Sequence, residues 1–173
     1  MKTETYERLK NVHEKYGPQE FGKLCQKLLA IAFQMAGYPH ILERGVQGVD
    51  VDAGSDAADK YAIEVKTTMT RCIKFEQKDV DGLQKRKEDG YQPMLAVLRL
   101  NRFSDWIFAK ADTIKPGRKH IDSFRAYRLD RIEDRIPSFW DEAIKEHYEG
   151  TMREGQKYLD DTLTRKGVTV RRP

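Results

Sequence analysis

The residues able to do chemistry gather in two short runs, Val49-Asp50-Val51-Asp52 and Tyr61-Ala62-Ile63-Glu64-Val65-Lys66. Both alternate with period two, the pattern of strands with two unlike faces. Glu64 and Lys66 then share one face, while Ile63 and Val65 share the other, where a core can take them. The residues from 54 to 60 between the runs are of types that favour turns. A hairpin centred near Ala57 sets Asp50 opposite Glu64 and Asp52 opposite Ala62. A slip of register would change both pairs, and Asp52, on the same face as Asp50, is the carboxylate that another register would bring in. Two carboxylates within reach of one divalent cation form a hard oxygen set suited to Mg²⁺, with Mn²⁺ as its substitute, leaving room for waters and a substrate phosphate. Such an arrangement suits phosphodiester cleavage. The cation lowers the pKa of a bound water, and the Lys66 ammonium orients the nucleophile or neutralises charge in the transition state.

The elements that must hold these runs are legible around them. Residues 18–36 are expected to be a helix, because Pro18 suits a first helical position and Phe21, Leu24, Cys25, Leu28, Ala32 and Met35 recur at three- and four-residue steps before Gly37. Residues 41–44 can add a short strand, with Gly45 and Gly48 allowing a loop or bulge. Residues 75–88 are polar with apolar points at Val80 and Leu83, which predicts a solvated helix ending at Gly90. The apolar run 94–100 reads as a central strand, 106–111 as another, and 126–129 as a short edge strand. Pro137 and Ser138 open a last helical region, broken at Gly150, and 164–173 reads as a basic tail. The expected organisation is one core domain over 1–136 and a helical extension with a basic tail over 137–173.

Of the 173 residues, 39% are hydrophobic and 35% charged, so the core is small and much of the surface is solvated or faces a ligand. The 32 Lys and Arg against 28 Asp and Glu give a net charge of +4, which suits a polyanionic partner. Cys25 and Cys72 are too few and too far apart for a disulfide framework or a zinc site. His13, His40, His120 and His147 have no metal-ligand spacing. The longest apolar stretch is too short to span a bilayer and no signal peptide is evident, so a soluble, cytoplasmic protein is expected.

Gly48-Val49-Asp50-Val51 followed by Ile63-Glu64-Val65-Lys66 resembles the Asp…Glu-X-Lys core of the PD-(D/E)XK nucleases, with Val49 where the family name has proline. The order of elements over 17–111 is similar to that family's αβββαβ scaffold. The resemblance implies an α/β restriction-endonuclease-like fold, with a central mixed sheet flanked by helices and followed here by a C-terminal helical extension. Lys66-Thr67-Thr68, Gln92-Pro93-Met94-Leu95-Ala96-Val97 and Trp106-Ile107-Phe108 look most like archaeal-type Holliday junction resolvases. Phe21, Leu24, Leu28 and Gly37-Tyr38 are similar to Mrr-like restriction nucleases. The implied activity is Mg²⁺-dependent endonucleolytic cleavage of duplex or branched DNA by a homodimer, since two strands must be cut. The implied metal ligands are Asp50, Glu64 and Val65, with Lys66 beside them.

Several residues carry two readings. Glu20 matches by position an acidic residue that many family members place in the site, but a Glu in the first turn after Pro18 is also favoured by the helix dipole alone. Gln84 and Asp52 stand as supporting groups around the ligands, and Gln84 reads equally as a solvent-facing helix residue. Lys78, Lys85, Arg86 and Lys87 offer a phosphate-contacting helix face, and Lys115, Arg118 and Lys119 a basic loop. Both patterns also suit ordinary solvated surfaces. The rival to a nuclease is a non-catalytic DNA-binding or assembly module on the same scaffold, and an RNA-cutting enzyme is a third reading.

Overall fold

The two alternating runs pair as a hairpin and seed a six-stranded mixed sheet. In the computed structural model, which describes residues 2–44, 49–55, 59–100 and 106–171 (main chain alone at 44, 170 and 171), β2 (Val51–Gly54) runs antiparallel to β3 (Lys60–Thr68). Val51 faces Ile63 and Asp52 faces Ala62, the expected register. Just outside the ladder, the Asp50 amide donates to the Ile63 carbonyl at 3.0 Å, which ties Asp50 to β3 near Glu64. The loop glycines Gly45 and Gly48 and the turn centre at Ala57 lie outside the described residues.

The apolar strand β5 (Gln92–Arg99) lies parallel to β3, and β6 (Trp106–Lys110) closes that side antiparallel to β5. On the other side β1 (His40–Arg44) pairs with β2, and β8 (Thr169–Arg171) adds a parallel edge to β1, giving the order β6-β5-β3-β2-β1-β8. The expected basic tail is therefore partly a strand, and Arg172 and Pro173 lie outside the described residues.

Strand alternation sorts the core into two layers. Ile63, Val65, Met94, Ala96 and Phe108 pack under α1 (Thr3–Met35), α3 (Asp130–Glu154) and α4 (Gln156–Arg165). Ala62, Leu95, Val97, Ile107 and Ala109 pack on the opposite face with Leu83 of α2 (Gln77–Glu88) and Ile73, Phe75, Ile121 and Phe124. The last four come from a two-stranded ribbon of β4 (Cys72–Phe75) and β7 (Gly117–His120) and from a 3-10 helix, Ile121–Tyr127.

Three expectations are corrected. The first helix begins at Thr3, not near Pro18, and breaks at Gly17, whose φ of 76° an L side chain resists; Pro18 opens its second half. Residues 126–129 form no strand, because the chain there is the end of the 3-10 helix and only a bridge between Ala109 and Arg128 forms. The last helical region opens at Asp130, so the division at 136 falls inside α3, with Pro137 two turns in. It breaks at Gly155 (φ 59°) and not at Gly150, which stays helical and must lack a side chain, since a β-carbon there would stand 2.3 Å from the Tyr158 ring. Gly150 is the gap into which α4 docks.

Candidate active site

Asp50, Glu64 and Lys66 come together on the α2 face of the sheet. Glu64 is deepest, at 3% exposure, while Asp50 and Lys66 are half-buried at its mouth. Lys66 Nζ lies 2.7 Å from Glu64 Oε1 and 2.8 Å from Asp79 Oδ2. The Val65 amide donates to Asp50 Oδ2 at 2.7 Å, so the strand that carries Glu64 and Lys66 also orients the carboxylate facing them.

Packing this much charge under a helix moves its proton equilibria. Burial, which penalises the charged form, pushes the Asp50 carboxyl up to about 7, against the pull of the Val65 amide and Lys66. Burial together with the neighbouring Asp50 charge pushes Glu64 up to about 8, again against Lys66. Lys66 is also buried, which alone would favour its neutral form, but Glu64 and Asp79 outweigh that and hold it more firmly protonated than a free lysine. The pair of carboxylates is thus proton-hungry without a cation, and the lysine stays charged.

A hard divalent ion fits this donor set. Glu64 Oε2 is buried with no hydrogen-bond partner, an orphaned anionic oxygen that a cation would satisfy. Among the described residues no three His, Cys, Asp or Glu side chains converge as a closed cage. Two carboxylates with open positions suit Mg²⁺, which keeps waters and takes substrate oxygen, better than a structural zinc site. Val65 contributes its amide to Asp50, and its side chain points into the α1 core layer.

The other expected site residues are placed as follows. Glu20 is not joined to this cluster by any described contact. It sits on α1, across the sheet, where both its carboxylate oxygens accept from Gln156 Nε2 of α4 at 2.9 Å. Asp52 shares the face of Asp50 but is taken by Arg86, whose Nε and Nη2 donate to its two oxygens at 3.1 and 2.8 Å. Arg86 also reaches Asp89 and stacks over Tyr91, 3.8 Å from the ring centre, so it staples α2 to β2 and is not a free phosphate ligand. Lys78 is exposed and paired with Glu76, and Lys87 pairs with Asp112 at 3.4 Å. Gln84 and Lys85 face solvent. Lys115 is exposed, while Arg118 and Lys119 lie on β7, a strand where a loop was expected.

Three residues that the sequence pattern did not single out matter here. Asp79, which reads in the sequence as one of the solvated charges of its helix, is 5% exposed and holds Lys66. Its signal was the Glu76-x-x-Asp79 spacing of a capping box, which aims Asp79 back at the Glu76 amide and inward. Gln26 donates to the Asp50 carbonyl at 3.2 Å and to Glu43 Oε1 at 2.7 Å. Glu43, 1% exposed, is also paired with Lys27, which in turn reaches Asp160 of α4 at 2.7 Å. Neither Gln26 nor Glu43 carried a signal, since both look like polar residues on the flank of their elements.

No protein-family model matches the chain, and no curated protein matches it. Among solved structures it is similar to Hjc, a Holliday junction resolvase from the archaeal hyperthermophile Archaeoglobus fulgidus. The identity is 18% and the TM-score 0.49, and the likeness covers 62% of this chain and 90% of that one.

Proposed function

We propose that this chain is a divalent-metal-dependent endonuclease acting on duplex or branched DNA, of resolvase-like or restriction-like type and working as a homodimer. The observation that carries the reading is the convergence of Asp50, Glu64 and Lys66 around an orphaned buried carboxylate oxygen of Glu64. Asp50 and Glu64 would hold Mg²⁺ or Mn²⁺, and the bound ion supplies a water of lowered pKa and an electrostatic partner for the phosphate. The Val65 amide keeps Asp50 turned toward the site. Asp79 and Glu64 fix the Lys66 ammonium between them, and because those carboxylates hold its proton, Lys66 serves as a fixed positive charge beside the scissile phosphate and not as a base. Glu20, held by Gln156, has no part in this scheme.

Plasmid, linear duplex and four-way junction DNA incubated with the protein and Mg²⁺ or Mn²⁺ test the proposal. Cleavage is expected to fall by about 100-fold or more in Glu64→Ala and in Lys66→Ala. Calorimetric titration is expected to show cation binding that Asp50→Ala weakens. Identical behaviour of wild type and variants on every substrate would sink the catalytic assignment. DNA binding without any response to the cation would favour the non-catalytic module instead.

A further inference from the structure

The β4–β7 ribbon is two-faced. Ile73 and Phe75 turn inward, 6% and 1% exposed, onto the α2 core layer. On the outward face Lys74 stands directly across from Arg118, and Cys72 across from His120. Both Lys74 and Arg118 are exposed. Like charges directly opposed across a strand pair weaken it, so folding gives no reason for this placement. Neither side chain makes an ion pair with any described residue. The contrast with α2 is informative: Lys78, Arg86 and Lys87 there are each taken by a carboxylate of the chain. Lys85 of α2 is exposed as well, but the ribbon differs in setting two cations directly across from each other. It is also beside the site, because Phe75, the neighbour of Lys74, lies under Lys66 Nζ with its ring centre 5.8 Å away.

We infer that the Lys74–Arg118 face of the ribbon is a docking surface for the phosphate backbone of duplex DNA, holding the duplex next to the scissile position. The inference rests on the nuclease reading and adds to it where the substrate lies. Two cations side by side on an exposed strand pair, neither in an ion pair with a described residue, complement a polyanion. Backbone contacts of this kind position a duplex without reading its sequence, so the surface serves any sequence equally.

Fluorescence anisotropy with a labelled mixed-sequence duplex, in EDTA to prevent cleavage, tests this on the full chain. The double variant Lys74→Ala/Arg118→Ala is expected to bind about tenfold or more weakly near 0.1 M salt, and its slope of log Kd against log salt to fall by about 2, one for each phosphate that the variant leaves unneutralised. The loss is expected to be the same on duplexes of different sequence. The exchange Lys74→Arg/Arg118→Lys, which keeps the charge, is expected to bind like wild type. An unchanged affinity and slope in the double variant, while the wild type cleaves in Mg²⁺, overturns the ribbon surface and leaves the nuclease reading standing. A ribbon-dependent slope in a protein that cleaves no substrate in Mg²⁺ or Mn²⁺ overturns the nuclease reading and leaves the surface. Equal weakening in the charge-keeping exchange marks a folding effect and overturns the surface, as does a loss confined to an RNA duplex or a wild type that binds no duplex.

Discussion

Replacing Glu64 by Gln should make the metal-free protein more stable while destroying the site. Glu64 is 3% exposed, and burial beside Asp50 raises its carboxyl from 4.5 to about 8. The folded state therefore holds a proton that the unfolded chain releases. This contribution is fully present below pH 4.5 and is lost as pH rises through 8. Each tenfold step between those values is worth about 1.4 kcal/mol, so an isolated Glu64 would cost about 4–5 kcal/mol at pH 8. The proton is shared with Asp50, itself pushed up to about 7, and the substitution also removes the charge that helps Lys66, which together about halve the figure. Glutamine is a neutral isostere that can still accept from Lys66, so Glu64→Gln should add roughly 2 kcal/mol at pH 8 and close to nothing at pH 4. Urea unfolding in EDTA at both pH values measures the difference. Added Mg²⁺ should stabilise the wild type more than the variant, because only the wild type keeps both anionic ligands. A gain that is the same at pH 4 and pH 8, or a glutamine variant that is weaker at pH 8, would refute the claim that buried charge at Glu64 strains the fold.

Other perturbations follow from the same structure. Lys27→Met leaves the buried Glu43 and the half-buried Asp160 without this cation and should cost about 3–5 kcal/mol, read as a lowered urea midpoint, with much of it recovered in Lys27→Met/Glu43→Leu. His147 is 3% exposed, its Nδ1 lies 3.1 Å from the Tyr158 hydroxyl, and burial holds its pKa below 6.5. Its neutral ring contributes stability that is present above pH 6.5 and lost as pH falls, so His147→Asn, which keeps an acceptor for Tyr158, should flatten the wild-type decline in melting temperature between pH 7 and 5. Gly150→Ala drives a methyl group into the Tyr158 ring and should cost about 1–3 kcal/mol or more, visible as faster hydrogen exchange in α4. Asp79→Asn keeps a hydrogen-bond acceptor for Lys66 but removes a charge that holds its proton, so cleavage should fall less than in Lys66→Ala.

The sheet was legible because its strands obey a simple rule. Ile63 and Val65 had to face a core, so Glu64 and Lys66 had to face away from it, and the turn-rich stretch between the runs set the register that the structure shows. The elements that escaped are those whose reason lies elsewhere in the fold. The helical turns before Gly17 carry buried Leu9 and Val12, too sparse a pattern to announce a helix without α3 to receive them. β4 and β8 are four and three residues long and exist because a partner strand is in place. Gly150 looked like a helix stop, and only the ring of Tyr158 explains it as a contact.

The grouping of Asp50, Glu64 and Lys66 was legible in the sequence and its surroundings were not, for one physical reason. A period-two pattern says that two faces differ in polarity, but not that the polar face is open to water. Here that face is roofed by α2, and Glu64 is as buried as the apolar residues beside it. Once the charged face is closed, every charge beneath the roof needs a partner, and the partners come from elements that looked like solvated surface: Asp79 for Lys66, and Arg86 for Asp52. The same accounting isolates what is left over. Glu64 Oε2 has no partner inside the site, and Lys74 and Arg118 pair with no described residue outside it. An unsatisfied anion in the cleft and two cations in no ion pair with a described residue are complementary to a metal ion and to a phosphate backbone in turn, and the proposed substrate, a duplex bound with its metal, would meet both needs.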